Sequence, residues 1–216
     1  MTPDDERPVD DAARLAARRR LPPGQYLPRG WPVLHYGRVP QIDLATWDLR
    51  IFGATADAST YALTYPELLA LPQSDVSADF HCVTKFSLLD NLWRGVLARD
   101  IAAVCPPDPA VTHVMVWAEY GYSANVSLSD FLAGTTVFAH SRNGAGLSPE
   151  HGWPLRFVCP PLYAWKSAKW VRAIEYLVGD RRGFWEDRGY HNLGRAAAEQ
   201  RYSYQERPGD GPPLQA

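Results

Sequence analysis

The residues best equipped for chemistry lie between His151 and Trp170, in the run HGWPLRFVCPPLYAWKSAKW. No acidic residue occurs between Glu150 and Glu175, yet Arg156, Lys166, Lys169 and Arg172 fall in that gap, with His151 at its edge. Trp153, Phe157, Tyr163, Trp165 and Trp170 are interleaved with them. Arginine binds phosphate as a planar fork and lysine as a point charge. Cations set among large rings suit an anion held deep in the protein, while a basic surface strand is the plainer alternative for the same composition. A second candidate is Cys82, in DFHCVTKFSLLDNLWRGV, with His81 before it and Lys85 three positions on. A nearby cation favours the thiolate, the form that attacks carbonyls or binds soft metal centres. A small buried hydrophobe is the common fate of a free cysteine and remains open at this point. Cys105 and Cys159 sit next to prolines and read as packing residues.

Several familiar chemistries leave no mark. The chain contains no CxxC, HxxxH or HExxH spacing for zinc, no GxGxxG or Walker loop, and no GxSxG elbow. The six histidines, at 35, 81, 113, 140, 151 and 191, are scattered. His35 and His151 stand out because Pro, Gly and aromatic residues surround both, as in loops that line sites.

The elements that must position these groups read as one domain. The chain has 216 residues, 46% of them hydrophobic, with 8 Trp and 11 Tyr, enough for a substantial core. A net charge of −2 argues against nucleic acid as a partner. No apolar run approaches a membrane span. Arg18, Arg19 and Arg20 are followed by Leu-Pro-Pro-Gly-Gln and not by an apolar region, so an export signal is not expected. That reading and three cysteines, too few for a disulfide framework, predict a cytoplasmic protein. Residues 1–20 read as a mobile tail, 21–206 as the domain, and the Pro/Gly-rich 207–216 as a second tail. Strands are predicted at residues 47–52, 61–64, 76–83, 111–119, 136–140, 155–158 and 170–178. Helices are predicted at 67–70 behind Pro66, at 89–104, and at 130–133 with Ser129 as N-cap. Many strands with short helices between them predict an α+β fold with mixed sheets.

Taken together, DFHCVTKFS, HGWPLRFVCPPLYAWKSAKW and GFWEDRGYH resemble the sulfite oxidase-type molybdopterin oxidoreductases. PPGQ at 22–25, WPVLHYGRVP at 31–40 and EQRY at 199–202 fit the same pattern. The resemblance is to the small single-domain bacterial branch, similar to the catalytic subunit of protein-methionine-sulfoxide reductase. It implies the sulfite oxidase molybdopterin-binding fold and a molybdenum–molybdopterin cofactor with one pyranopterin dithiolene. Cys82 would then be the metal's thiolate ligand. Arg156 with the loop around His151, together with Lys166, Ser167, Ala168 and Lys169, would grip the pterin and its phosphate. His35 and Tyr36 match an early loop that covers the pterin, and Lys85 becomes a candidate to hold an anionic substrate. The implied activity is two-electron oxygen-atom transfer on a small oxyanion or sulfoxide, with an external electron donor or acceptor, since the chain carries no haem, flavin or Fe–S motif. A non-catalytic binding protein for a phosphorylated pterin, and a hydrolase with Cys82 as nucleophile, are the competing readings. The chain departs from the family pattern at Phe86, where relatives often carry Trp, and at Gly194-Arg195-Ala196-Ala197, where Gly-Asp-Pro-Trp is usual.

Overall fold

Alternating side chains build two sheets, whose shared faces position everything else. The protein is described by a computed structural model over residues 18–214. Residues 1–17, most of the predicted N-terminal tail, and residues 215–216 lie outside the described residues. The first sheet holds β1 (Asp48–Gly53), β2 (Tyr61–Thr64), β5 (His113–Ala118), β6 (Ser123–Ser127) and β10 (Val171–Leu177), in the order β2-β1-β10-β5-β6. Within it β1 and β10 run parallel and the other pairs antiparallel. The second sheet holds β3 (Gln73–His81), β4 (Ser87–Leu97), β7 (Val137–Arg142) and β8 (Ala145–Gly146) in that order, with β9 (Arg156–Val158) also paired to β7. Among the described residues, the short helices α1 (Tyr65–Ala70), α2 (Ala98–Val104) and α3 (Leu128–Phe131) flank the sheets. The expected α+β class with mixed sheets is what the chain adopts. No helix among the described residues is long and apolar enough to cross a membrane.

Around β9 and the start of β7 the second sheet is buried on both faces, and the period of two decides which residue goes where. Val96, Phe138 and Phe157 point toward the first sheet and pack with Leu49, Ile51, Val114, Ile174 and Phe131. Their neighbours Leu97, Val137, Ala139 and Val158 point the other way, into a second core with Phe80, Trp93, Tyr163 and Trp165. Cys82 belongs to that second core.

Two expectations are corrected. Residues 89–104 are not one helix: β4 runs to Leu97 and only α2 is helical. Asn91, Trp93 and Gly95 alternate inward while Leu92 and Arg94 stay exposed, so a fortuitous helical spacing of apolar residues masked a strand. Gly95 is held close to β7, where an added Cβ would stand 2.0 Å from the Phe138 carbonyl oxygen. The cap of α3 is Ser127, not Ser129; its Oγ accepts from Asp130 N at 3.1 Å. The helix at Pro66 forms as expected, with Thr64 and Glu67 in a reciprocal capping box.

The C-terminal segment is tied down by named bonds. The buried guanidinium of Arg182 pairs with Glu206 and donates from Nε to Pro212 O at 2.8 Å. Buried Asn192 donates to Asp210 O at 2.9 Å, and Gly211 lies so close that an added Cβ would be 2.3 Å from Asn192 Nδ2. Truncation after Glu206 removes two acceptors from buried donors. It is expected to destabilise the fold by about 1–3 kcal/mol for each donor left unpaired, read as a lower midpoint in thermal or urea unfolding.

Candidate active site

The hairpin between β3 and β4 carries the thiol. Cys82 follows the last residue of β3 and opens a tight turn in which Lys85 N donates to Cys82 O at 2.9 Å and Cys82 N to Phe86 O at 2.9 Å. Gln25 Nε2 donates to Cys82 O at 3.0 Å. Tyr26 pairs with the hairpin through Tyr26 N to Lys85 O (2.8 Å) and Ser87 N to Tyr26 O (2.9 Å). The thiol is 7% exposed and faces a cavity of about 260 Å³. Thr84 Oγ1 donates to its sulfur at 3.1 Å. A cysteine hydrolase would need a histidine there; among the described residues none bonds the sulfur. Lys85 sits at the turn with a positive φ of 77°, exposed and outside the cavity wall.

The cations enter from β9 and the loops on either side of it. Arg156, first residue of β9, is 3% exposed and lines the cavity. Its Nη1 donates to His151 O at 3.0 Å, while its Nε has no partner. The rings of Phe80 and Trp31 lie 4.9 and 5.4 Å from the guanidinium carbon, a cation–π setting. Lys169 lines the same cavity and donates to Glu150 O at 2.6 Å. Gly152 makes this pairing feasible: at φ 113° an added Cβ would lie 3.2 Å from the Cβ atoms of both Arg156 and Lys169. Among the described residues neither cation has a carboxylate within ion-pair distance. The one acidic residue on the wall, Glu119, is turned to Arg172 at 3.2 Å.

This imbalance shows in the proton affinities. Burial pushes the Arg156 guanidinium down to about 10. Burial, with the Arg156 charge adding to it, pushes Lys169 down to about 7. Both groups lie within electrostatic reach of Cys82. Two like charges in a poorly solvated wall without a counter-ion are costly, and a bound anion offsets that cost.

The remaining expected residues divide between the wall and the layer behind it. Ser167 and Ala168 line the cavity, as do His35 and Tyr36 at its mouth. His35 meets the ring of Trp170 edge-on at 5.6 Å, and the exposed Tyr36 lies 4.9 Å from Phe184. His151 stands behind the wall, stacked on Trp31 at 3.9 Å and bonded to Ser148. Burial lowers its pKa, with Lys169 and Arg156 acting in the same direction. Lys166 is not brought to the cavity: fully buried, it is engaged by Glu186 at 2.6 Å and by Asn125 O and Oδ1 at 2.8 and 2.7 Å. The sequence reading did not single out Trp31, Thr84, Tyr122, Phe184, Trp185 or Tyr190, all of which line the cavity. Five of these six fall within WPVLHYGRVP, DFHCVTKFS and GFWEDRGYH, runs noted as wholes and not parsed residue by residue. Gly194 packs against Trp165, and Arg195 forms a fork on Asp130 with two 2.8 Å bonds, so the unusual Gly194–Ala197 stretch has its own anchorage.

Residues 36–185 match the family described as the oxidoreductase molybdopterin binding domain. The chain is 42% identical over 186 residues to an uncharacterized oxidoreductase, YuiH, of Bacillus subtilis, covering 86% of this chain and 93% of that protein. It is 24% identical to the mitochondrial sulfite oxidase of Drosophila melanogaster over 70% of this chain and 31% of that protein. It is 23% identical to a nitrate reductase of Hordeum vulgare over 72% of this chain and 21% of that protein. The chain thus spans a third or less of these two longer enzymes. In structure it is similar to the sulfane dehydrogenase SoxCD from Paracoccus pantotrophus, with a TM-score of 0.61 and 18% identity over 67% of this chain and 41% of that one, a likeness of fold.

The Lys169 ammonium gives a pH test. Its protonated form attracts an anion, so affinity falls as pH rises through about 7. Sulfate, a dianion throughout, is expected to raise the midpoint of thermal unfolding at pH 6 and to lose much of that effect by pH 9. In Lys169→Met the difference between the two pH values is expected to vanish, leaving the weaker effect owed to Arg156.

Proposed function

The chain belongs to the oxidoreductase molybdopterin binding domain family, and from that premise we propose that it is a molybdenum-dependent oxidoreductase of the sulfite oxidase type. Its reaction, on this reading, moves one oxygen atom and two electrons to or from a small oxyanion or sulfoxide. The observation that carries the reading is the pair of cations, buried Arg156 and half-buried Lys169, which share a cavity with the Cys82 thiol and have no carboxylate partner among the described residues. The donor set suits a molybdenum–pterin cofactor. A soft sulfur is available to the metal, and a guanidinium and an ammonium are available to the phosphate. When bound, that cofactor supplies a two-electron redox centre able to exchange an oxygen atom with substrate.

The protein's own part is binding, orientation and exclusion of water. Cys82, anchored by the backbone of its hairpin turn, would hold the metal. Arg156 and Lys169 would hold the phosphate, with Ser167 and Ala168 beside them and His35 and Tyr36 over the mouth. Phe80, Trp165, Phe184, Trp185 and Tyr190 keep the wall apolar, which strengthens each charge interaction inside it. Lys166 serves the wall indirectly: Glu186, which it pairs, also accepts from Trp165 Nε1 at 2.8 Å. Lys85 stands outside the cavity and takes no part in this reading.

Reduction of a sulfoxide would consume two electrons and two protons and release water. Oxidation of sulfite would draw its oxygen from water and release the same electrons and protons. Either direction requires an external electron donor or acceptor. A cytoplasmic setting is supported by three cysteines that are all unpaired thiols.

Protein produced in a host that makes the cofactor is expected to carry stoichiometric molybdenum by elemental analysis. Cys82→Ser is expected to remain folded and to lose the metal or its thiolate signature, and Arg156→Met to retain roughly tenfold less pterin or worse. Molybdenum-free wild-type protein, or Cys82→Ser with an unchanged metal spectrum, would sink the proposal.

A further inference from the structure

The Cys82 sulfur receives a single hydrogen bond among the described residues, the 3.1 Å bond from Thr84 Oγ1. Local folding does not account for it. The turn that carries both residues is closed by backbone bonds and held by Gln25, none of which involves the threonine hydroxyl. Thr84 is exposed, so water could serve its hydroxyl. Yet the hydroxyl is aimed at the sulfur, and Thr84 and Cys82 line the same cavity. The β-branched side chain has few χ1 choices, which fixes the donor.

We propose that Thr84 is a positioning residue that acts through Cys82 to raise the reduction potential of the metal bound there. The inference rests on reading Cys82 as the metal's thiolate ligand. A thiolate donates electron density to its metal. A hydroxyl hydrogen on the sulfur withdraws part of that density, which favours the electron-richer reduced centre over the oxidised one. Hydrogen bonding around a ligating cysteine tunes other thiolate–metal centres in the same way. The effect needs no change in the set of ligands and no contact between Thr84 and substrate.

The test uses purified holoprotein in four further forms: Thr84→Val, Thr84→Ala, Thr84→Ser and Cys82→Ser. The readouts are metal and pterin content, the midpoint potential in a dye-mediated titration, and the thiolate-to-metal absorption band. Thr84→Val and Thr84→Ala are expected to keep wild-type metal content while the potential falls and the band moves to lower energy. Thr84→Ser, which restores the hydroxyl, is expected to return both toward wild type. A merely structural role would alter content or stability and leave potential and band in place. Wild-type potentials in both Thr84→Val and Thr84→Ala, with the thiolate band intact and lost in Cys82→Ser, would overturn the Thr84 inference alone. An unchanged band in Cys82→Ser would overturn the ligand assignment beneath it. Alanine reads the same question if valine crowds the turn.

Discussion

The structure depends on holding two positive charges together, Arg156 buried and Lys169 half-buried, with no carboxylate among the described residues within ion-pair distance of either. Arg156 and Lys169 are drawn close by Gly152, whose missing side chain leaves space for both stems. Backbone carbonyls of His151 and Glu150 take one hydrogen from each, which fixes direction without cancelling charge. A carboxylate in either place would stabilise the empty protein and compete with an incoming anion. The chain instead turns Glu119 toward Arg172 and buries Glu186 against Lys166. Both of these acids are thus occupied elsewhere, the Glu150 carboxylate acts on Lys169 only beyond ion-pair distance, and stability is given up locally to keep the cavity receptive.

The sheets provide what that arrangement requires. The second sheet has one face against the first sheet and its helices, and the other against the loops of the site. Because alternate residues of β7 and β9 serve opposite faces, neither core can be repacked without shifting the other. Arg156 therefore starts from a strand fixed on both sides, a firmer base than a loop alone would offer. The thiol reaches the same cavity from the far end of the β3–β4 hairpin, so the two halves of the site are set by the register of a single sheet.

Much of this was legible in the chain. The acid-free stretch carrying five aromatics suggests an anion pocket or a basic surface strand, and Arg156 and Lys169 both line the cavity. Cys82 was marked by its place at a strand end. What could not be read was direction. Lys166 and Lys169 look equivalent in sequence, yet a turn of 3-10 helix sends the first into a buried carboxylate and leaves the second on the wall. Lys85 has a residue type suited to an anion, but it sits at the positive-φ turn of the β3–β4 hairpin, whose backbone is also bonded to the distant Tyr26. The strand at 87–97 was hidden by the same limit: its leucines keep a helical spacing, and only its neighbour β7 shows that Gly95 must lie against a backbone.

The N-terminal arm has a further consequence. Trp31 stacks on His151 and faces the guanidinium groups of Arg142 and Arg156, and Tyr26 is stitched to the Cys82 hairpin. Farther along, Arg201 Nη1 grips Val83 O at 2.9 Å from the opposite end of the chain. All three lie beyond the 36–185 span that the family match covers, although the likeness to YuiH runs past it. The stretch that the family match covers is therefore smaller than the stretch that builds the cavity wall, which includes Trp31. An excised fragment cut at those borders would keep both sheets and forfeit a side of the chamber they were built to support.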